Sequence, residues 1–362
     1  MQIIFLIFLF LHYINYGYVL LFLIVSNGRT VRRKIMSAKF KVYVSDYDYP
    51  DLSIEKSILE PIGAEVIGLH DKTGEHLAEL AVDADAILQQ YAKIMRPTIE
   101  KLKNCKVIAR YGIGVDILDV KAAYDNGMVV TNVNDYCIDE VADQAIAFAL
   151  MLMRNIPFYD AKVHAGSYRW QDWRAPITTL RSARFGLVGF GRIAQNLAHK
   201  IQAFGTEVVA YDPYVSKSLM HSHGVTKVEL DELLKTSHTV IVLCPYTKDT
   251  HHIINEDTLR MMRKDAFLIE VSRGKCVDNK ALYTALHDGW ICGAALDDPE
   301  EEPMKIANWT PAMNPLFQLD NCFFTPHTAY VSSETLVNCR YIAAENVRAV
   351  LLGERPMNLV KP

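Results

Sequence analysis

Residues 186–214, GLVGFGRIAQNLAHKIQAFGTEVVAYDPY, constrain the fold more than any other stretch of this chain. Gly189 to Ala194 read G-x-G-x-x-A, between a strand pattern and a helical one. Gly189 allows a tight turn, Gly191 lets the backbone approach a pyrophosphate, and the small Ala194 allows close packing of helix on strand. The helix that follows presents its N-terminus, with its unpaired N–H groups, to the same phosphates. Asp212 stands 21 residues after Gly191, at the end of the next predicted strand. There it can accept hydrogen bonds from ribose hydroxyls and repel a 2′-phosphate, which favours NAD over NADP. A bare G-x-G-x-x-A is often no more than a glycine turn. The strand–turn–helix–strand–Asp order is what makes this one specific, and it still leaves the reaction open.

The rest of the chain fits around that unit. With 362 residues, 50% of them hydrophobic and 22% charged, it is long enough for two domains. The strand patterns KVYVS, AEVIGL, AILQQ, KVIARYG and MVVTNV alternate with helical stretches such as SIEKSILEPIG and TIEKLKN. A long helix is predicted over 138–155, acidic at its start. A second series follows: ARFGLVGFG, TEVVAYD, HTVIVLCP, AFLIEVS, WICGAALD and NCFFTPH, then a last helix over 332–353. Alternation of this kind predicts βαβ units and parallel sheets. The expected fold is α/β, with two Rossmann-like or flavodoxin-like parallel-sheet domains and a cleft between them. Residues 36–137 plus 331–362 would form one domain and residues 138–330 the dinucleotide-binding one.

The net charge of −4 offers nothing to a nucleic acid. Seven scattered cysteines without CxxC or CxH spacing argue against a disulfide framework or zinc site and for a reducing compartment. Residues 3–25 break the pattern. They carry no acidic or basic side chain except His12, and Arg29, Arg32, Arg33 and Lys34 follow at once. An inserted helix there would leave the remainder in the cytosol, because positive charge stays on the cytoplasmic side. A cleaved signal peptide fits poorly, since its positive charge precedes the apolar run. The other reading is a mis-set start, with Met36 opening the protein just before the strand KFKVYVSD. The chain is therefore expected in the cytoplasm, with a membrane anchor as the alternative.

Three polar residues stand at the ends of predicted strands after the dinucleotide unit: Arg273, Glu302 and His327. In doubly wound sheets ligands gather at those ends. Singly, each has a plain structural reading: a paired arginine, a solvated acid, a satisfied loop histidine. Together they suit one reaction.

From about Met36 onward the chain resembles the D-isomer-specific 2-hydroxyacid dehydrogenase family, closest to the branch of the C-terminal-binding proteins. The motifs are RYGIGVD, VADQAIAFALMLMR, LVGFGRIA, VAYDPY, VSRGKCVD, GAALDD with EEEP, and TPHTAY, in the right order. The resemblance implies an NAD-dependent oxidoreductase interconverting a small 2-oxoacid and a D-2-hydroxyacid. Arg273 would polarise the substrate, His327 would be the acid/base and Glu302 its partner, favouring the protonated imidazole and orienting the ring. Gly112 and Gly114 would offer N–H groups to the substrate carboxylate, with Arg110 holding it and Tyr91 facing the substrate. Asp297 would lie near the nicotinamide carboxamide. Arg192, Ile193 and Pro245 are also expected at the cofactor, and no metal is called for because Arg273 does the polarising. The resemblance further implies a homodimer around the helix at 138–155.

The chain also departs from that family. Asp298 and Pro299 follow Asp297 where a valine is usual, Ile117 replaces an asparagine, and Tyr330 stands where the C-terminal-binding proteins carry tryptophan. These changes bear on side-chain preference. Glu300 and Glu301 read as solvated loop charge, and Asp298 has no assigned part. An NAD(H)-sensing corepressor-like scaffold is the competing reading, weakened by the lack of a long tail. A biosynthetic phosphoglycerate dehydrogenase is disfavoured because no regulatory domain follows Pro362, and formate dehydrogenase because its glutamate position is not an acid.

Overall fold

Strands rich in Val, Ile, Leu and Ala build two sheets in the computed structural model, which describes residues 39–301, 303, 306 and 308–362. Glu302 and the apolar run at 3–25 therefore lie outside the described residues. The first series comprises β1 (Phe40–Val44), β2 (Ala64–Gly68), β3 (Ala86–Gln89), β4 (Val107–Arg110) and β5 (Val129–Thr131). The second comprises β6 (Arg184–Val188), β7 (Glu207–Tyr211), β8 (Thr226–Lys227), β9 (Thr239–Val242), β10 (Phe267–Glu270), β11 (Gly293–Leu296) and β12 (Cys322–Phe324). A short β13 (Leu359–Val360) closes the chain. Among the described residues these form a six-stranded sheet, β13-β5-β4-β3-β1-β2, and a seven-stranded one, β12-β11-β10-β9-β6-β7-β8. All pairings are parallel except β13 with β5.

Parallel strands are covered on both faces, so they are apolar without alternation. Strands β3, β9, β10 and β11 are buried at every residue. In the larger sheet, helix Ile138–Met153 buries Val141, Ala142, Ala145, Phe148, Ala149, Leu152 and Met153 against one face. The last helix, Ser333–Leu351, instead packs Cys339, Ala343, Ala344 and Val347 onto the smaller sheet. Arg340 of that helix reaches the buried Glu55 through two bonds, Nε to Oε1 at 2.8 Å and Nη2 to Oε2 at 2.6 Å. Tyr111 donates its hydroxyl to the same carboxylate at 3.0 Å. An isolated Glu55 or Arg340 would be costly at this depth, and the pair offsets that cost.

The strand orders place the sites. In the larger sheet the order reverses between β6 and β9; in the smaller, between β1 and β3. Crevices at such switch points receive ligands at the carboxyl ends of the strands.

All eleven predicted strands are present, ten of them trimmed and β1 shifted one residue earlier, to begin at Phe40. The two-residue β8 and β13 and the helix Ile156–His164 have no periodic signal in the sequence and were not expected. TIEKLKN is mostly turn, after a helix confined to Arg96–Ile99. Among the described residues no helix is long and apolar enough to cross a membrane.

Candidate active site

A cavity of about 540 Å³ opens where the carboxyl ends of the two sheets meet. It collects Tyr91, Arg110, Gly112 and Gly114 from the smaller sheet and Ile193, Pro245, Arg273, Asp297 and His327 from the larger. Gly189, Gly191, Arg192 and Asp212 do not line this cavity; they form the glycine turn beside it.

That turn has the shape a dinucleotide needs. Gly189 has φ +98°, and a Cβ there would lie 2.8 Å from the Cys244 nitrogen. Only glycine fits both the angle and the contact. No described atom lies within 4 Å of a Cβ built on Gly191, so the backbone is open to a close-lying group. Gly191 caps helix Arg192–Gln202 without a side-chain hydrogen bond. The first N–H groups of that helix thus face the turn with no side-chain cap. Asp212 accepts from Phe190 N–H and Tyr214 N–H, each at 2.9 Å, which fastens the carboxylate beside the turn. Arg192 is exposed and donates to the Asn134 carbonyl at 3.3 Å. These features fit a bound dinucleotide.

Two guanidinium groups face the cavity from opposite sheets. Arg273, just past β10, lies with Nε 3.4 Å from Asp116 Oδ1 and donates Nη1 to the Ser272 carbonyl at 2.7 Å. Burial opposes its charge, but the carboxylates of Asp116 and Asp298 outweigh that and hold its pKa above the ordinary arginine value. A Cβ on Gly114 would overlap this guanidinium, so glycine is required there for the approach. Arg110, at the end of β4, donates to the carbonyls of Gly114 and Tyr111 at 3.1 Å and to that of Gln90. Burial and the neighbouring Arg273 push its pKa below the ordinary value. Carbonyl oxygens orient Arg110 without neutralising it, which suits capture of an anion.

His327 occupies the turn after β12 with φ +54°, a left-handed conformation that histidine adopts more readily than most residues. Its N–H donates to the Asp297 carbonyl at 2.7 Å. The Asp297 carboxylate, buried at the end of β11, accepts from Thr325 Oγ1 at 2.5 Å and from Thr328 N–H and Ala329 N–H at 2.9 Å each. Asp297 therefore lines the cavity while committing its oxygens to the His327 turn. The described acid at the imidazole is Asp298, its Oδ1 3.5 Å from Nδ1.

The solvated reading is corrected for the half-buried Glu300 and holds for Glu301, which is exposed. Glu300 pairs with His252 Nε2 at 2.7 Å, and Glu301 accepts from Asn279 Nδ2 at 2.5 Å. Both hold the acidic loop against its neighbours.

Sequence reasoning missed several residues that shape the cavity. Asp46, fully buried after β1, accepts from the N–H groups of Gln90, Tyr91 and Ala92 and so fixes the loop carrying Tyr91. Its signal was available: an acid at the carboxyl end of a strand, in VYVSD, beside a switch point. Asp116 was quoted within a motif but given no part. Tyr49 and Tyr136 also line the cavity, and burial raises both phenols' pKa, so they stay neutral.

Comparison with known proteins adds to this geometry. The family described as D-isomer specific 2-hydroxyacid dehydrogenase, NAD binding domain, matches residues 146–329. The chain is 37% identical over 322 residues to a D-3-phosphoglycerate dehydrogenase of Methanocaldococcus jannaschii, an alignment covering 88% of this chain and 59% of that protein. It thus spans less than two thirds of that relative. To a glyoxylate reductase of Korarchaeum cryptofilum it is 35% identical over 287 residues, 78% of this chain and 85% of that one. A D-lactate dehydrogenase from Aquifex aeolicus, crystallised with NAD and lactic acid, superposes with TM-score 0.80 at 27% identity. That superposition covers 89% of this chain and 99% of the other.

Proposed function

Since this chain belongs to the D-isomer specific 2-hydroxyacid dehydrogenase family, we propose that it interconverts a small 2-oxoacid and the corresponding D-2-hydroxyacid using NAD(H). The observation that carries this reading is the meeting of Arg110, Arg273 and His327 in one cavity beside a dinucleotide-shaped glycine turn. The corresponding domain reading is that residues 36–137 and 331–362 hold the substrate and residues 138–330 hold the cofactor.

The glycine turn at Gly189 and Gly191, helix 192–202 with Arg192 and Ile193, and Asp212 would hold the dinucleotide, with Pro245 and Asp297 toward the nicotinamide. When bound, NADH supplies a hydride to the carbonyl carbon. Arg110 and the N–H groups at Gly112 and Gly114 would bind the substrate carboxylate. Arg273 would set its planar fork on the carbonyl oxygen and stabilise the charge that develops there. His327 Nδ1 faces Asp298, which leaves Nε2 to give its proton to that oxygen. Tyr91 and Tyr136, with phenols kept protonated by burial, would donate hydrogen bonds to a polar substrate side chain. Glu302 remains a proposed partner of His327 from the family pattern.

NADH oxidation with glyoxylate, hydroxypyruvate, pyruvate and branched 2-oxoacids tests the reading, with D-3-phosphoglycerate assayed in reverse. Turnover of at least one is expected. A protein that binds NADH and turns over none would overturn it. Seven free thiols suit the reducing cytosol in which this chemistry is proposed to occur.

A homodimer is part of the proposal. Helix Ile156–His164 and the loop after it expose Ile156, Val163, Tyr168, Trp170 and Trp173 directly beyond helix Ile138–Met153. Large exposed apolar groups gathered in this way mark an interaction surface. Light scattering at micromolar concentration should give twice the chain mass; a monomer would refute it.

A further inference from the structure

Two buried carboxyl groups lie one behind the other beside His327. Asp298 follows β11 and is 5% exposed; Glu270 ends the adjacent β10 and is fully buried. The Asp298 N–H donates to Glu270 Oε2 at 3.3 Å, while Glu270 Oε1 accepts from the Ser272 N–H and, at 3.0 Å, from the Ser272 hydroxyl. Gly274 admits the acidic loop, because a Cβ there would lie 2.2 Å from the Asp298 carbonyl and 2.4 Å from Pro299. The loop is thereby clamped from below, and Asp297 fixes the His327 turn from beside it. The 3.5 Å approach of Asp298 Oδ1 to His327 Nδ1 follows from both restraints.

We propose that Asp298 is a positioning carboxylate for His327, holding the imidazole by Nδ1 so that Nε2 carries the transferable proton. This rests on the reading of His327 as the acid of a 2-oxoacid reductase.

The charges around the ring show why such a group is needed. From the smaller sheet Arg110 and Asp116 line the same cavity; from β10 comes Arg273; from the turn itself come Asp297 and Tyr330, the latter edge-on at 6.0 Å. Asp116 is engaged with Arg273, and Asp297 with the backbone of the turn. Two arginines and the Asp298 carboxylate therefore act on the same ring from different sides. Burial and the charge of Asp298 push the Glu270 pKa well up, so Glu270 is the neutral member of the pair. Asp298 stands on the side that meets His327, its Oδ1 3.5 Å from Nδ1.

The test compares wild type, Asp298→Asn, Asp298→Glu and Glu302→Gln. One reading is kcat/KM for 2-oxoacid reduction against pH; the other is the His327 ring titration followed by NMR. Reduction consumes a proton, so activity falls as pH rises through the titration of His327. Without the Asp298 charge that fall should begin about one pH unit lower, a tenfold loss on the alkaline side. Asp298→Glu should recover part of it, whereas a purely structural role would leave the midpoint in place. An Asp298→Asn titration that superposes on wild type, whether or not Glu302→Gln moves the midpoint, overturns the inference. If wild type turns over no 2-oxoacid, the functional reading fails, and the NMR midpoints still decide whether Asp298 holds the ring.

Discussion

The carbonyl oxygen of Asp297 accepts the backbone N–H of His327 at 2.7 Å, while its carboxylate gathers Thr325, Thr328 and Ala329 around the same turn. One residue thus holds the histidine's backbone from the end of the neighbouring strand. The positive φ of His327 costs on the order of 1 kcal/mol and persists because these bonds over-determine the turn. Pre-organisation of this kind keeps a ring aimed without a rearrangement during reaction.

Asp297→Asn should loosen that turn. The new amide NH₂ would meet backbone N–H donors, so one or two bonds are lost and buried donors are left unpaired. A loss of about 1–3 kcal/mol is expected, read as a lower Tm, together with reduced kcat. Unchanged Tm and kcat would contradict the arrangement.

His327→Ala should lower kcat/KM for oxoacid reduction by about 10²–10⁴-fold, the usual worth of a positioned acid. NADH binding, followed by fluorescence quenching, should be retained, because the histidine lies away from the glycine turn. Loss of NADH affinity would show that the ring serves the cofactor instead.

Arg110→Gln and Arg273→Gln should separate binding from chemistry. Arg110 would hold a carboxylate that is charged throughout the reaction, so its loss should act mainly on KM. Arg273 would meet charge that grows at the carbonyl oxygen, so its loss should act mainly on kcat, by about 10²–10³-fold. Steady-state kinetics on the same substrate checks both; equal effects on KM alone would refute the division.

Glu270→Gln should change how stability depends on pH. The folded-state pKa of Glu270 is raised, so the stability it contributes is complete below the ordinary glutamate value and is lost as pH rises through the folded value. Glutamine mimics the neutral form and does not titrate. The Tm difference, variant minus wild type, should therefore grow more positive from pH 5 to pH 8. A difference independent of pH would mean that Glu270 does not titrate in this way.

Arg340→Ala should destabilise the smaller sheet's attachment to the last helix by about 3–5 kcal/mol, since it strands the buried Glu55 carboxylate. Thermal unfolding would show a clear loss. A shift of a degree or less would indicate that water reaches Glu55.

The glycine turn, Asp212 and every substantial strand were legible in the chain because each rests on local rules: glycine where φ is positive, apolar runs where both faces are covered, an acid at a strand's carboxyl end. Arg273 and His327 could be named for the same reason, each ending a strand that a periodic pattern marks. What local pattern could not supply was pairing. How near Asp298 comes to the histidine depends on how closely two loops approach, and the missing side chain of Gly274 admits that approach. Asp46, Glu55 with Arg340, and Glu270 with Asp298 act between residues far apart in the chain or on adjacent strands, where a sequence carries no periodicity to read. The sequence alone thus determined the two parallel sheets and the chemical groups available at their edges. Tertiary packing decided which groups share a cavity and that burial pushes the Glu270 pKa up, because distance and burial set those electrostatics.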